Sequence, residues 1–134
     1  MPSKHGTTHW LEREDFGDVT VVRLKPPKDL DDDTIREVFT PIYSLVSDMG
    51  RSNLVLNLAP VEYLPSMALG KLVMLNRKVQ AAQGSLALCQ LSPTVAEILE
   101  STRLNELFHL YATEQEALSS RRSAVQEPQN ESSP

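Results

Sequence analysis

Apolar and polar positions recur with two different periods along the chain, and each period predicts a type of element. Residues 19–24 are rich in β-branched side chains and follow a glycine-containing turn, so residues 10–14 and 19–24 are predicted to form a β-hairpin. Residues 52–58 and 85–91 are short and mostly apolar, as expected of strands that are buried on both faces of a sheet. A further short strand is predicted near residues 108–111.

Between the predicted strands, apolar residues recur every three or four positions, which is the spacing of a helix with one buried face. The first helix is predicted to follow the acidic residues 31–33 and to end at Gly50, with Pro41 either bending it or delaying its start. Ser66 is predicted to be the N-cap of the second helix, because a serine hydroxyl can accept from the free N–H groups of a first turn. Two more helices are predicted to start behind Ser92 and at the capping-box residues 113–116.

The order of these elements, β-β-α-β-α-β-α-β-α, predicts an α/β fold with a mixed sheet and helices mainly on one face. A chain of 134 residues suits a single domain with one core. We expect this domain to span residues 9–118, after a flexible N-terminus at residues 1–8. Residues 119–134 are expected to form a disordered tail, because they have almost no apolar side chains whose burial could offset the entropy of ordering.

Charge and composition narrow the classes of partner. Thirteen Lys and Arg against eighteen Asp and Glu give a formal net charge of -5, which argues against a nucleic acid partner. No apolar run approaches the roughly 20 residues that a membrane-spanning helix needs, and the N-terminus lacks a signal-peptide core, so a cytoplasmic protein is expected. The single cysteine, Cys89, lies in an apolar strand and is predicted to be buried.

Catalytic and metal-binding chemistry is not indicated by the motifs. The three histidines, His5, His9 and His109, do not form a recognisable metal-ligand motif with cysteines or carboxylates. The acidic residues 31–33 lack the glycine and the alternating ligands of a calcium loop, so they are predicted to cap a helix. Ser66 follows a strand as a nucleophile elbow would, but Leu64 and Ala68 stand where that turn needs glycine. We therefore expect a protein that is not an enzyme and has no metal or cofactor.

Several stretches, taken in order, resemble one known family. Residues 54–58 followed by residues 63–70, YLPSMALG, are similar to a strand and an Asp-Ser-Ser/Thr-Gly-Leu-Gly turn of the STAS domain family. Residues 86–95 resemble the family's fourth strand and third helix start, and residues 102–108 resemble the hydrophobic turn before its last strand. Within the family, the chain is most similar to the bacterial anti-sigma-factor antagonists, over about residues 9–118.

This resemblance implies a non-catalytic regulator that binds an anti-sigma factor with serine kinase activity and so frees a sigma factor. In that family the partner phosphorylates the serine that corresponds to Ser66, and only the unphosphorylated form binds. The partner surface implied by the resemblance consists of Asp31, Thr34, Pro65, Ser66, Met67 and Lys71.

The motif around Ser66 departs from the family pattern and leaves two interpretations open. Pro65 stands where the family has aspartate, Met67 where it has serine or threonine, and Ala68 where it has glycine. Ser66 is then either a regulated phosphorylation site or only a structural helix cap. In the second case the chain would be a STAS scaffold or sensor that forms a homodimer through a sheet edge, or binds a small ligand in a pocket beneath the loop of Pro26 and Pro27.

Overall fold

The computed structural model describes residues 5–7, 10–26 and 30–126, which form one six-stranded sheet and four α-helices. The strands are β1 (His5–Thr7), β2 (Leu11–Phe16), β3 (Val19–Leu24), β4 (Asn53–Asn57), β5 (Ser85–Cys89) and β6 (His109–Tyr111). The helices are α1 (Asp32–Ser47), α2 (Ser66–Ala81), α3 (Pro93–Ser101) and α4 (Glu114–Gln126), and a short 3₁₀ helix spans Leu104–Glu106.

The strands lie in the sheet in the order in which they occur along the chain. β1, β2 and β3 pair antiparallel, whereas β3 to β6 are parallel and are joined by α1, α2 and α3. From β2 to α4 the order of elements is the predicted one, and the sheet is mixed as predicted. Right-handed crossovers, the rule for parallel strands joined by helices, put the three connecting helices on the same face.

Both ends of the chain differ from the expected boundaries where the structure describes them. β1 lies within residues 1–8, which were expected to be flexible, and it adds an edge strand to the hairpin. α4 continues to Gln126, beyond its predicted end at Leu118. The polar sequence after Leu118 lacks a helical apolar pattern and so did not indicate this continuation. Residues 127–134 of the predicted tail lie outside the described residues.

The apolar core has two parts, one on each face of the sheet. The larger part contains Leu54 and Leu56 of β4, which point toward α1, α2 and α3. The alternate residue Val55 points to the other face, where Ala117 of α4 covers it. Three helices on one face and one on the other agree with the predicted arrangement. Cys89 is fully buried in the smaller part, as predicted, and burial raises the pKa of its thiol to about 12.

The acidic segment before α1 acts as the predicted helix cap. Asp31 is the N-cap, and its Oδ1 accepts a hydrogen bond from the backbone N–H of Thr34 at 2.8 Å. α1 begins at Asp32 and continues through Pro41, so the proline does not delay its start. Within the described ranges, no helix combines the length and the apolar character that crossing a membrane requires.

Candidate functional site at the carboxyl edge of the sheet

The topology gathers the predicted partner residues at one edge of the sheet. Because β3 to β6 are parallel, they end at the same edge, which we call the carboxyl edge and define by Leu24, Asn57, Cys89 and Tyr111. Each of these strands leads into a helix that starts from this edge. The starts of α1 and α2, which carry five of the six predicted partner residues, are therefore on the same side of the molecule.

Ser66 is the first residue of α2, and the prediction that it caps the helix is wrong. Pro65 occupies the N-cap position with φ -66° and ψ 163°, and its carbonyl oxygen accepts from the N–H of Leu69 at 3.1 Å. Proline has a fixed φ and no N–H to donate, so it suits this extended position just before the first helical residue. The Ser66 side chain is exposed and makes no hydrogen bond to any described residue.

The start of α2 differs from the starts of the other three α-helices that the structure describes, because it has no side-chain cap. The caps of the other three are Asp31 to the Thr34 N–H at 2.8 Å, Ser92 to the Val95 N–H at 3.2 Å, and Thr113 to the Glu116 N–H at 3.1 Å. In α2 the first N–H groups meet no acceptor among the described side chains. Their partial positive charge is therefore open to an anion beside the Ser66 hydroxyl.

Met67 and Lys71 are less exposed than their neighbour Ser66, because both side chains contact other parts of the chain. Met67 is half-buried and packs against the main core. The ammonium group of Lys71 lies 5.7 Å from the centroid of the Tyr43 ring, and the Tyr43 hydroxyl donates to the Lys71 carbonyl oxygen at 2.8 Å. Burial raises the pKa of Tyr43. Lys71 therefore joins α2 to α1 as well as contributing a charge to the surface.

A small apolar cavity lies below the two loops that carry Asp31 and Ser66. Its volume is about 30 Å³, which is room for roughly one water molecule, whereas ligand pockets usually hold about 300–1,000 Å³. The cavity lies partly beneath Pro26, where the small-ligand interpretation expects a pocket, and it has no polar lining. Its walls include Leu24, Leu30, Ile35, Phe39, Leu58 and Leu64. A cavity of this size does not favour a small ligand.

An ion-pair network, which the sequence did not indicate, holds the start of α4 at the same edge. The guanidinium of Arg23 donates to Glu114 twice, from Nε to Oε2 at 2.8 Å and from Nη2 to Oε1 at 3.0 Å. Asn57 Nδ2 donates to the same carboxylate at 2.7 Å. The hydrogen bond from Arg23 lowers the pKa of the Glu114 carboxyl. A polar Asn57 at the end of an apolar strand was the one available sequence signal.

The described residues contain no cluster of three or more His, Cys, Asp or Glu side chains that could hold a metal ion.

A family model for the STAS domain matches residues 11–117, which span the sheet from β2 to β6 together with α1, α2 and α3. The chain belongs to the STAS domain family. The resemblance proposed from the sequence is thereby confirmed, and the structural neighbours of this STAS domain are anti-sigma-factor antagonists.

Three solved structures illustrate the similarity of fold. An anti-sigma factor antagonist from Mycobacterium paratuberculosis is 28% identical, with a TM-score of 0.72 over 84% of this chain and 92% of that chain. The anti-sigma factor antagonist SpoIIAA in its unphosphorylated form is 22% identical, with a TM-score of 0.71 over 84% of this chain and 96% of that chain. The phosphorylated form of Bacillus SpoIIAA is 20% identical, with a TM-score of 0.65 over 84% of this chain and 99% of that chain.

A sequence relative covers a shorter stretch. BtrV of Bordetella bronchiseptica, named as a candidate anti-sigma factor antagonist, is 31% identical over 61 residues. The match covers 46% of this chain and 53% of BtrV, so the chain spans about half the length of this curated relative.

Proposed function

We propose that this STAS domain is an anti-sigma-factor antagonist that binds an anti-sigma factor with serine kinase activity through its carboxyl edge. In this proposal phosphorylation of Ser66 abolishes binding, and no catalysis by the chain itself is involved. The observation that carries the proposal is the state of the Ser66 side chain, which is exposed and free of hydrogen bonds to the described residues. A kinase could reach this hydroxyl without disturbing a cap.

The start of α2 would tolerate a phosphate. Phosphorylation adds a charge of about -1.5 to -2 and three acceptor oxygens. The N–H groups at the start of α2 have no side-chain cap, so they could donate to those oxygens, and the helix dipole favours a negative charge there. The domain would therefore stay folded when modified. The effect of phosphorylation would fall on the partner, through charge and bulk at the contact surface.

The other proposed contact residues surround Ser66 on two helix starts. Asp31 is exposed, and Thr34 is half-buried at the start of α1. Pro65 and Met67 flank Ser66 and are half-buried, so each presents part of its side chain to a partner. Lys71 follows one turn later. With Pro65 in place of the family aspartate, the carboxylates available to the partner come from the loop at Asp31 and not from the serine motif.

Self-association is the second candidate function, and exposed apolar residues beside the edge strand β6 favour it. Leu107 is 44% exposed and Leu110 is 38% exposed. β6 pairs with β5 alone among the described strands, so its other edge is open to a second copy. Sedimentation of the wild type and of Leu110→Asp would test this function. A dimer that dissociates in the variant supports it, and a wild-type monomer at high concentration contradicts it.

The main proposal is tested by capture of partners from the native host with wild type, Ser66→Ala and Ser66→Asp. We expect wild type and Ser66→Ala to capture an anti-sigma factor with a kinase domain, and Ser66→Asp to lose it. Mass spectrometry of the recovered wild-type chain should locate one phosphate on Ser66. Binding of Ser66→Asp equal to that of wild type would contradict the switch, and absence of any anti-sigma factor from the wild-type capture would contradict the function.

A further inference from the structure

The charged residues of α2 are all basic, although the chain as a whole has a formal net charge of -5. They are Lys71, Arg77 and Lys78, and the helix contains no aspartate or glutamate. The neighbouring helices of the same layer carry exposed carboxylates: Asp32, Asp33 and Glu37 on α1, and Glu97 and Glu100 on α3. The only basic residue of α1, Arg36, is paired with Asp33 at 2.7 Å.

The sheet topology puts α2 in the middle of this layer. α1 joins β3 to β4, α2 joins β4 to β5, and α3 joins β5 to β6, so right-handed crossovers place the helices in the order α1, α2, α3. α1 packs directly against α2. A basic helix therefore lies between two acidic ones on the face of the molecule that also carries Ser66.

The basic charges of α2 are not neutralised by carboxylates of other described residues. Arg77 is exposed, and neither it nor the two lysines forms an ion pair within the described part of the chain. Lys71 and Lys78 lie 5.7 and 5.6 Å from the centroid of the same Tyr43 ring. Cation–π contacts of this kind hold the ammonium groups in position while leaving them open to an anionic partner.

One side of α2 is also exposed, so a partner can approach the helix closely there. Ser66, Gly70, Met74 and Arg77 follow one another at spacings of four, four and three, so they lie along one exposed side of the helix. Met74 is 47% exposed. A Cβ added at Gly70 would meet nothing within 4 Å, so packing within the chain does not require glycine there, although glycine weakens a helix interior. Its missing side chain leaves the helix backbone accessible.

We propose that this basic ridge, formed by Ser66, Gly70, Met74 and Arg77 with Lys71 and Lys78 alongside, docks an acidic and partly apolar segment of the anti-sigma factor. Carboxylates of that segment pair with the basic side chains, and an apolar residue covers Met74. The inference rests on the proposed function and extends it to the mechanism of the switch. A phosphate on Ser66 places negative charge at one end of the basic ridge, where it repels the acidic segment.

The test uses the full chain and the anti-sigma factor captured by the wild type, with affinity measured by calorimetry. Arg77→Glu should weaken binding about tenfold or more, and it should reduce the dependence of affinity on ionic strength. Gly70→Leu should also weaken binding, because the open space around Gly70 lets the fold accept a side chain that blocks close approach. Arg103→Glu, an equal charge change at an exposed residue beyond the end of α3, should bind like the wild type.

The outcomes separate the two proposals. If the wild type binds and Arg77→Glu binds equally well, the basic ridge is not the docking surface, while the proposed function stands. If Arg77→Glu and Arg103→Glu weaken binding equally, only net charge matters and the assignment to α2 is wrong. If the wild type captures no anti-sigma factor, the proposed function fails, and the inference about the basic ridge fails with it.

Discussion

Arg23 and Glu114 form a two-point ion pair between β3 and the first residue of α4, with N–O distances of 2.8 and 3.0 Å. Both side chains are mostly shielded, at 27% and 19% exposure, and Asn57 donates a third hydrogen bond to the carboxylate. Of the α4 residues whose burial is described, Ala117 is the one that is fully buried. Polar contacts therefore contribute a large share of what fixes the start of α4 on the sheet.

Replacing Glu114 should loosen this attachment. Glu114→Gln removes the charge that Arg23 and Asn57 contact, and we expect the free energy of unfolding to fall by about 1–3 kcal/mol. Urea denaturation followed by circular dichroism measures this change. Glu97→Gln, which removes the same charge at an exposed position of α3, should change the free energy of unfolding by less than about 0.5 kcal/mol. Equal effects of the two variants would contradict the assignment.

Protonation of the Glu114 carboxylate should make the stability of the fold depend on pH. Arg23 lowers the pKa of Glu114 in the folded chain below its ordinary value of 4.5. The contribution of Glu114 is thus fully present above the unfolded pKa and is lost as the pH falls through the folded pKa. The stability difference between wild type and Glu114→Gln should be constant near neutral pH and shrink under acidic conditions. Denaturation of both proteins across this range checks it, and a difference that stays constant in acid would refute the prediction.

The two serines at helix starts should respond differently to alanine. Ser92 caps α3 through its hydroxyl, at 3.2 Å from the Val95 nitrogen, so Ser92→Ala should lower the free energy of unfolding by about 1 kcal/mol. The Ser66 hydroxyl caps nothing, so Ser66→Ala should leave stability within about 0.5 kcal/mol of the wild type. Thermal denaturation of both variants distinguishes them. A loss at Ser66 as large as that at Ser92 would restore the capping role.

Two glycines should have opposite responses to alanine. A Cβ at Gly84 would overlap the carbonyl of Ser52, so Gly84→Ala forces the backbone to move and should destabilise the fold by about 1–3 kcal/mol. Gly70 lies within α2 with open space around it, so Gly70→Ala should stabilise the chain by about 0.5–1 kcal/mol. Chemical denaturation of the matched pair measures both. If Gly70→Ala destabilises the free chain, the glycine has a structural role and not one in binding.

Local sequence patterns determined most of the element order and the family. Apolar spacing depends on the period of each element, so it located the hairpin, the two central strands and the starts of the helices. The acidic cap at Asp31 was also predictable, because a cap contacts a backbone group only three residues away. Burial of Cys89 followed from its place in an apolar strand. These features depend on neighbours in the chain, which the sequence displays directly.

Tertiary structure alone decided how the candidate site is arranged. Whether Ser66 caps α2 or begins it depends on the backbone angles at Pro65, and serine at either position has the same sequence pattern. Arg23 and Glu114 are 91 residues apart and meet only because β3 lies near the start of α4. The order of α1, α2 and α3 across the sheet sets a basic helix between two acidic ones. Contacts between distant segments depend on the whole fold, and no local period encodes them.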